Sequence, residues 1–254
     1  AAYHLRRMGH RVTVKEAGPR LGGMMRFGIP KYRLPREVLD AEMQRIVDMG
    51  VVVQLGAKVE QLAELLEEGV DGEHFDAAFL AVGAHIARRA YIPAAGAAKI
   101  LDAVSLLRSM EGEAPPLLGR RVVVYGGGNT AIDVARTARR LGAEEAIIVY
   151  RRTREKMPAH DFEVEEALEE GVSMKWLSTI KNIDGGQLQI EKMALDDKGF
   201  PQPTGEFDGL RRRVDAGTDD AGDGDVADLK LPHVVPPCWA KRSRVVGKGK
   251  QGWG

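Results

Sequence analysis

The feature that most constrains this chain lies near its middle. An apolar, β-rich stretch, Arg121-Val-Val-Val-Tyr125, runs into Gly126-Gly-Gly128. A helical pattern begins at once at Asn129, continues to Leu141 and is stopped by Gly142. A strand turned sharply into a helix by glycine is the opening of a βαβ unit. The spacing Gly126-x-Gly128-x-x-Ala131 gives each position a use. Gly126 permits the turn, Gly128 has no side chain to hold off a pyrophosphate, and Ala131 lets the helix approach the sheet. The N–H groups and dipole of the helix start would then receive the phosphates. Ala131, Ala135 and Ala138 make a small-residue face for close packing, and Thr130 and Asp133 have capping-box spacing. Taken alone, such a turn also fits a plain strand–turn–helix bend.

The next strand discriminates. In a NAD site it ends in an acid that accepts a hydrogen bond from the ribose 2′-hydroxyl. Here Ala146–Tyr150 ends in Arg151-Arg152. Paired guanidinium groups suit a 2′-phosphate, which an acid would repel, so the pattern favours NADP(H). Arg152 also fits an ordinary surface charge.

A second, partial signal lies near the start. A short strand, Arg11-Val-Thr-Val-Lys15, ends at Glu16. It reads as the second strand of another dinucleotide unit, whose first strand and glycine turn would precede residue 1. Glu16 then fits either a ribose-hydroxyl acceptor or a solvated acid at a strand end. Gly22-Gly23 and Gly83-Ala84 each fit a close backbone approach to a cofactor or a simple turn.

Between and after these signals the chain alternates strand and helix, the grammar of a doubly wound α/β fold. Residues 1–9 read as the end of an amphipathic helix. Pro35–Met49 is a helix, Val51–Leu55 a strand and Gln61–Glu68 a short helix. Phe75–Val82 reads as a buried strand and Ile100–Met110 as a helix. Glu111–Gly119 is the best linker. Asp161–Glu170 is an acidic helix whose run Glu163–Glu170 reads as a wet face, not a catalytic carboxylate pair. Val172–Leu177 is a strand, and Gly185-Gly186 suggests an antiparallel hairpin between Ile180–Ile183 and Leu188–Ala194. Gly217–Asp228 is rich in Asp and Gly with few large apolar residues, and 211–254 reads as poorly folded.

Composition narrows the function classes. Hydrophobic residues make up 44% of the 254, enough for a real core. Lys plus Arg and Asp plus Glu number 37 each, so no global charge draws the chain to nucleic acid or an anionic membrane. No apolar run approaches a membrane span and no signal peptide is seen. The single cysteine, Cys238, excludes within these residues a disulfide framework, a Cys-x-x-Cys redox pair and an all-cysteine iron–sulfur site. A reducing cytosol is the default compartment. None of the six histidines has metal-ligand spacing, and His85 reads as locally hydrogen-bonded.

Four motifs, in order, resemble a known family. They are Leu21–Pro35 (Leu-Gly-Gly-Met-Met-Arg-Phe-Gly-Ile-Pro-Lys-Tyr-Arg-Leu-Pro), Phe79–Ala84, Gly126–Asp133, and Tyr150-Arg-Arg with Met157-Pro158. They are similar to the FAD- and NADPH-binding core of the glutamate synthase small subunit. The same core occurs in the electron-input half of dihydropyrimidine dehydrogenase and in related flavoprotein reductase subunits. The resemblance covers about residues 1–208. It implies two Rossmann-like dinucleotide-binding domains, an incomplete FAD domain (1–112) and an inserted NADP(H) domain (113–208), followed by an atypical, poorly ordered tail (209–254). A shifted reading frame after residue 208 would account for that tail. NADPH would give a hydride to FAD, and electrons would go on to iron–sulfur clusters, in missing regions or a partner subunit. Glu16 would hold the FAD ribose, Leu21, Gly22 and Gly23 would pass near the flavin, and the Val59 backbone would meet the adenine. Ala81, Val82, Gly83 and Ala84 would lie close to the FAD. Gly126, Gly127, Gly128, Asn129, Thr130 and Ala131 would hold the NADPH pyrophosphate, and Arg151 and Arg152 its 2′-phosphate. No catalytic side chain is implied, because positioning two rings is the protein's task. A non-catalytic NADP-binding domain, or a relic, is the alternative. A flavin-dependent disulfide reductase is disfavoured by the missing cysteine pair.

Overall fold

A computed structural model describes residues 1–67, 74–83, 94–95, 99–112, 116–184, 187–208, 212–213 and 225–228. Ala84, His85, Cys238 and the Gly185-Gly186 turn lie outside the described residues, as does most of 209–254. The chain forms two compact units. One takes in Ala1–Met25 and the described residues from Leu34 to 83; the other takes in Arg26–Arg33 and the described residues from 94 to 228.

In the first unit, α1 (Ala2–Arg7) leads to β1 (Thr13–Glu16). The short α2 (Gly23–Phe27) begins here and ends in the second unit. After the strap 28–33 come α3 (Arg36–Val47), β2 (Val52–Leu55) and α4 (Leu62–Glu67). Pro35 precedes α3 as expected of a residue with a fixed φ, and Leu39 is its buried anchor. β1 and β2 pair in parallel, from Thr13 opposite Val52 to Glu16 opposite Leu55, so the unit contains a βαβ crossover.

One expectation fails here. Phe75–Val82 is not a buried strand: it carries no described strand pairing, and Phe79 and Val82 are 71% and 74% exposed. A continuous apolar strand is buried where other elements cover both its faces. Among the described residues none does.

The second unit holds β3 (Ala94–Ala95), β4 (Lys99–Asp102), α5 (Ala103–Ser109), β5 (Arg121–Tyr125), α6 (Asn129–Arg140) and β6 (Glu145–Val149). Then follow a 3-10 turn at Arg154–Lys156, α7 (Asp161–Glu169), β7 (Val172–Lys175), β8 (Ser178–Asp184), β9 (Gln187–Leu195), β10 (Pro201–Phe207), β11 (Arg212–Arg213) and β12 (Asp225–Asp228). A parallel sheet has the order β4-β12-β5-β6-β7, and an antiparallel sheet the order β10-β9-β8, with β3 alongside β8 and β11 on β9.

Two further expectations change. Ile100–Met110 is not one helix. Ile100 and Leu101 belong to β4, and the Asp102 carboxylate accepts the Ser105 N–H at 2.8 Å, starting α5 as its N-cap. Within 211–254, which reads as poorly folded, Asp225–Asp228 pairs in parallel with both β4 and β5. Strand pairing is made by backbone groups, so an Asp-rich composition does not forbid it.

Alternation along β5 and β6 builds two cores. Val122, Val124, Ala146 and Ile148 face α5, α6 and α7. Val123, Ile147 and Val149 face Ile180, Ile183, Leu188 and Ile190 of the antiparallel sheet. Ala131, Ala135 and Ala138 are fully buried, so α6 does lie close on the sheet through its small-residue face. Burial on both faces holds the carboxyl ends of β5 and β6 in place, and the candidate site is at those ends.

Candidate functional site

The β5–α6 turn is built on glycine for two separate reasons. Gly126 has φ +151°, a conformation side chains rarely adopt, and its N–H bonds the Val149 carbonyl at 3.1 Å. A Cβ on Gly127 would lie 2.4 Å from the Tyr150 ring. Gly128 is the extended N-cap of α6, and its carbonyl accepts from Ala131 N–H at 2.9 Å. The N–H groups of Asn129 and Thr130, without intrahelical acceptors by helix geometry, stand at the start of α6. A glycine cradle at a helix start is the right donor set for a pyrophosphate.

Arg151 and Arg152 follow directly from β6. Arg151 is exposed and Arg152 half-buried. The loop they begin is stitched to the glycine turn. Ala159 N–H donates to Gly127 O at 3.1 Å, and His160 N–H donates to Asn129 Oδ1 at 3.1 Å. Met157 and Ala159 are buried, anchoring the Met-Pro-Ala stretch. The Tyr150 hydroxyl donates to Lys156 O at 2.7 Å, and burial pushes its pKa up. The glycine turn is therefore tied by two hydrogen bonds to the far end of the loop that Arg151 and Arg152 begin.

The capping-box expectation does not hold. Gly128, not Thr130, caps α6, and no side chain makes a cap hydrogen bond there. The Asp133 carboxylate is bound elsewhere. Its two oxygens both accept from Arg33 Nη1 at 2.8 Å. Arg33 Nη2 donates to Glu163 Oε1. Asp133 and Glu163 are buried, and burial, outweighing Arg33, pushes Asp133 up to about 6. Glu163 Oε2 is buried without a hydrogen-bond partner among the described residues.

The reading of Glu163–Glu170 as a wet face holds at the exposed Glu165, Glu166 and Glu169 and is corrected at the buried Glu163. Glu163 is 1% exposed, and Arg136 bonds Glu166 and Glu170 at 2.6 Å each, while Arg140 shares Glu170 at 2.6 Å. Arg136 foremost holds the Glu170 carboxyl below its usual range. Both arginines lie over the Tyr32 ring, at 4.9 and 4.2 Å from its centroid. The signal that marks Glu163 is its place beside Val164 and four before Ala167, on the buried stripe of α7.

In the first unit, Glu16 ends β1 and its Oε1 accepts the Gly18 N–H at 2.7 Å. Ala57 N–H donates to Glu16 O at 2.9 Å, so the loop leading to the exposed Val59 starts beside it. The second carboxylate oxygen has the acceptor chemistry a ribose hydroxyl needs. Gly22 and Gly23 both have positive φ, +115° and +49°, and follow the half-buried Leu21. Ala81, Val82 and Gly83 are exposed and join no described strand.

The profile of the pyridine nucleotide-disulphide oxidoreductase family matches residues 1–200. The NADP(+)-dependent formate dehydrogenase subunit beta of Moorella thermoacetica is 40% identical over 80% of this chain and 30% of its own length. The glutamate synthase [NADPH] small chain of Escherichia coli (strain K12) is 32% identical over 83% of this chain and 46% of its own. The chain thus spans less than half the length of either relative. Among solved structures, a mutant of FprA from Mycobacterium tuberculosis superposes with a TM-score of 0.64 at 18% identity, over 87% of this chain and 65% of that one. That likeness bears on fold alone, and it agrees with a Rossmann-type α/β architecture. Together with the motif order, these matches make the chain a member of the pyridine nucleotide-disulphide oxidoreductase family.

Proposed function

We propose that this chain is the dinucleotide-handling part of an NADPH-dependent flavoprotein oxidoreductase of the glutamate synthase small-subunit type. The chemistry the cofactors supply when bound is hydride transfer from NADPH to FAD, with electrons leaving for iron–sulfur clusters and a partner subunit. The observation that carries the proposal is the glycine turn at Gly126–Ala131, tied by two hydrogen bonds to the loop that Arg151 and Arg152 begin. Backbone N–H groups at Asn129 and Thr130 receive the pyrophosphate. Arg151 and Arg152 donate to the 2′-phosphate, which sets the choice of NADPH over NADH. Glu16 accepts from a ribose hydroxyl of FAD, and the backbones at Leu21–Gly23, Val59 and Ala81–Gly83 border it. No side chain is required as acid or base. The relatives are named as subunits of larger enzymes, which supports a partner subunit in general. No helix among the described residues is long and apolar enough to cross a membrane. We place the protein in the cytoplasm.

The test is nucleotide titration of the purified chain. Arg151→Ala with Arg152→Ala should weaken NADPH by about tenfold or more and NADH little, because each charge-assisted bond is worth roughly 1.5–3 kcal/mol. Equal losses for both nucleotides would remove the 2′-phosphate role. Flavin bleached by NADPH without oxygen supports turnover. A second reading, NADP binding without turnover, is favoured by the two-stranded β1–β2 sheet and the exposed 75–83 stretch. Nucleotide binding with no flavin uptake would select it.

A further inference from the structure

The strap 30–33 is held against α6 and α7 at several points that the cofactor reading leaves unused. Pro30 is buried, Tyr32 lies under Arg136 and Arg140, and Lys31 Nζ lies 3.8 Å from Glu111. Arg33 ends the strap, with Nη1 on both Asp133 oxygens at 2.8 Å and Nη2 on Glu163. Asp133 stands one turn into α6, roughly 6 Å along the axis from Asn129. Glu163 lies in the first turn of α7, whose N-cap His160 bonds Asn129. One guanidinium therefore bridges the first turns of the two helices that border the glycine cradle. The groups facing Asp133 are Arg33 from the strap, Glu163 from α7, and Arg136 and Tyr32 nearby.

We infer that Arg33 is a positioning residue for the dinucleotide. It locks the starts of α6 and α7 together and offsets the carboxylate charge behind the phosphate cradle. This rests on the reading of Gly126–Ala131 as the NADPH pyrophosphate site. The physical argument is short. A helix start favours an anion through its dipole and free N–H groups. Two buried carboxylates a turn behind it oppose the same anion, and salt screens buried charges poorly. Arg33 supplies the cation nearest to both, and its fork fixes their geometry as lysine would not.

The experiment is titration of the chain with NADPH and NADH, read by nucleotide fluorescence. Arg33→Met should weaken both by a similar factor, about tenfold, because the pyrophosphate is common to both. Arg33→Lys should restore part of the loss. Adding Asp133→Asn and Glu163→Gln to Arg33→Met removes the opposing charge and should recover most of the affinity. That variant also tests the charge argument if Arg33→Met does not fold. Linkage requires the reverse effect, so NADPH should slow amide exchange within residues 31–34 of the wild-type chain. Unchanged affinity in Arg33→Met, or no change in exchange, overturns the inference. A loss confined to NADPH also overturns it, by moving Arg33 to the 2′-phosphate. If the wild-type chain binds neither nucleotide, the site reading itself falls; if it binds both and Arg33→Met binds equally, only the role of Arg33 falls.

Discussion

Gly127 offers the sharpest test of how the turn is built, because its neighbour cannot easily give way. A methyl group at Gly127 would sit 2.4, 2.5 and 2.9 Å from Cδ2, Cε2 and Cγ of Tyr150. Ordinary contact begins at 3.4 Å, so the ring or the turn must retreat by about 1 Å. The ring is pinned by its hydroxyl on Lys156 O at 2.7 Å. The Tyr150 backbone is pinned on both sides, its N–H to Lys175 O at 2.8 Å and its carbonyl to Ser178 N–H at 3.1 Å. Gly127 is held in turn by Ala159 N–H. Overpacking of this kind costs about 1–3 kcal/mol, and loss of the tyrosine bond about 1 more. Gly127→Ala should therefore lose about 2–4 kcal/mol in urea unfolding, with the denaturant slope unchanged. The cause is isolated by a double-mutant cycle. Removing the ring with Tyr150→Ala abolishes the clash, so Gly127→Ala should cost much less in that background, a coupling of about 2 kcal/mol. If Gly127→Ala lies within about 0.5 kcal/mol of wild type, or the two changes simply add, the close-approach argument is wrong.

Asp133 makes stability depend on pH. Its carboxyl is raised by burial from 3.8 to about 6, so the folded state holds the proton more tightly than the unfolded state. That contribution is full below the unfolded value and is lost as pH rises through about 6, an effect of order 3 kcal/mol. Urea unfolding at pH 4 and pH 8 should show a drop in wild type that Asp133→Asn lacks; equal drops would reject the assignment. In the core, Ala135 and Ile148 are fully buried on opposite sides of the α6–sheet contact. Ala135→Leu should cost about 1–3 kcal/mol by overpacking and Ile148→Ala about 2–5 by leaving a cavity. Thermal melts within a degree of wild type for both would deny that this contact holds the site.

The NADP-side βαβ unit was legible because its signals are local. Strand, glycine turn, small-residue helix face and the Arg151-Arg152 strand end all fall within one window, and the structure ties the turn to the loop those arginines begin. Residues 75–82 show the opposite case. Phe-Asp-Ala-Ala-Phe-Leu-Ala-Val has the composition of a buried strand, but burial depends on the elements that cover its two faces, and no local window contains them. Ile100–Met110 failed for a different reason. The cap signal at Asp102 was present, and apolar spacing across it hid the change from strand to helix. Gly127 was obscured by its own neighbours, since in a run of three glycines the two standard motif positions account for the pattern. Only the ring of Tyr150, brought over the turn by β6, shows why the middle one is also required.

The charge cluster was illegible for a reason of distance. Arg33 meets Asp133 across 100 positions and Glu163 across 130. Each acid taken alone had a sufficient local explanation, one as part of a helix cap and the other as part of a solvated acidic face. Glu163 carries its own signal. An acid on the same stripe as Val164 and Ala167 cannot be left buried without a cation, because the desolvation cost is several kcal/mol. Such an acid needs an arginine or lysine, and any of the 37 in the chain satisfies that need equally by sequence. The strap supplies it from a segment whose Gly22 and Gly23, by resemblance, would pass near the flavin. The motif Leu21–Pro35 thus has Gly22 and Gly23 on one unit and Tyr32 and Arg33 packed on the helices of the other. Substitutions in its second half should therefore be read first in nucleotide affinity, and those at Gly22 and Gly23 first in flavin content.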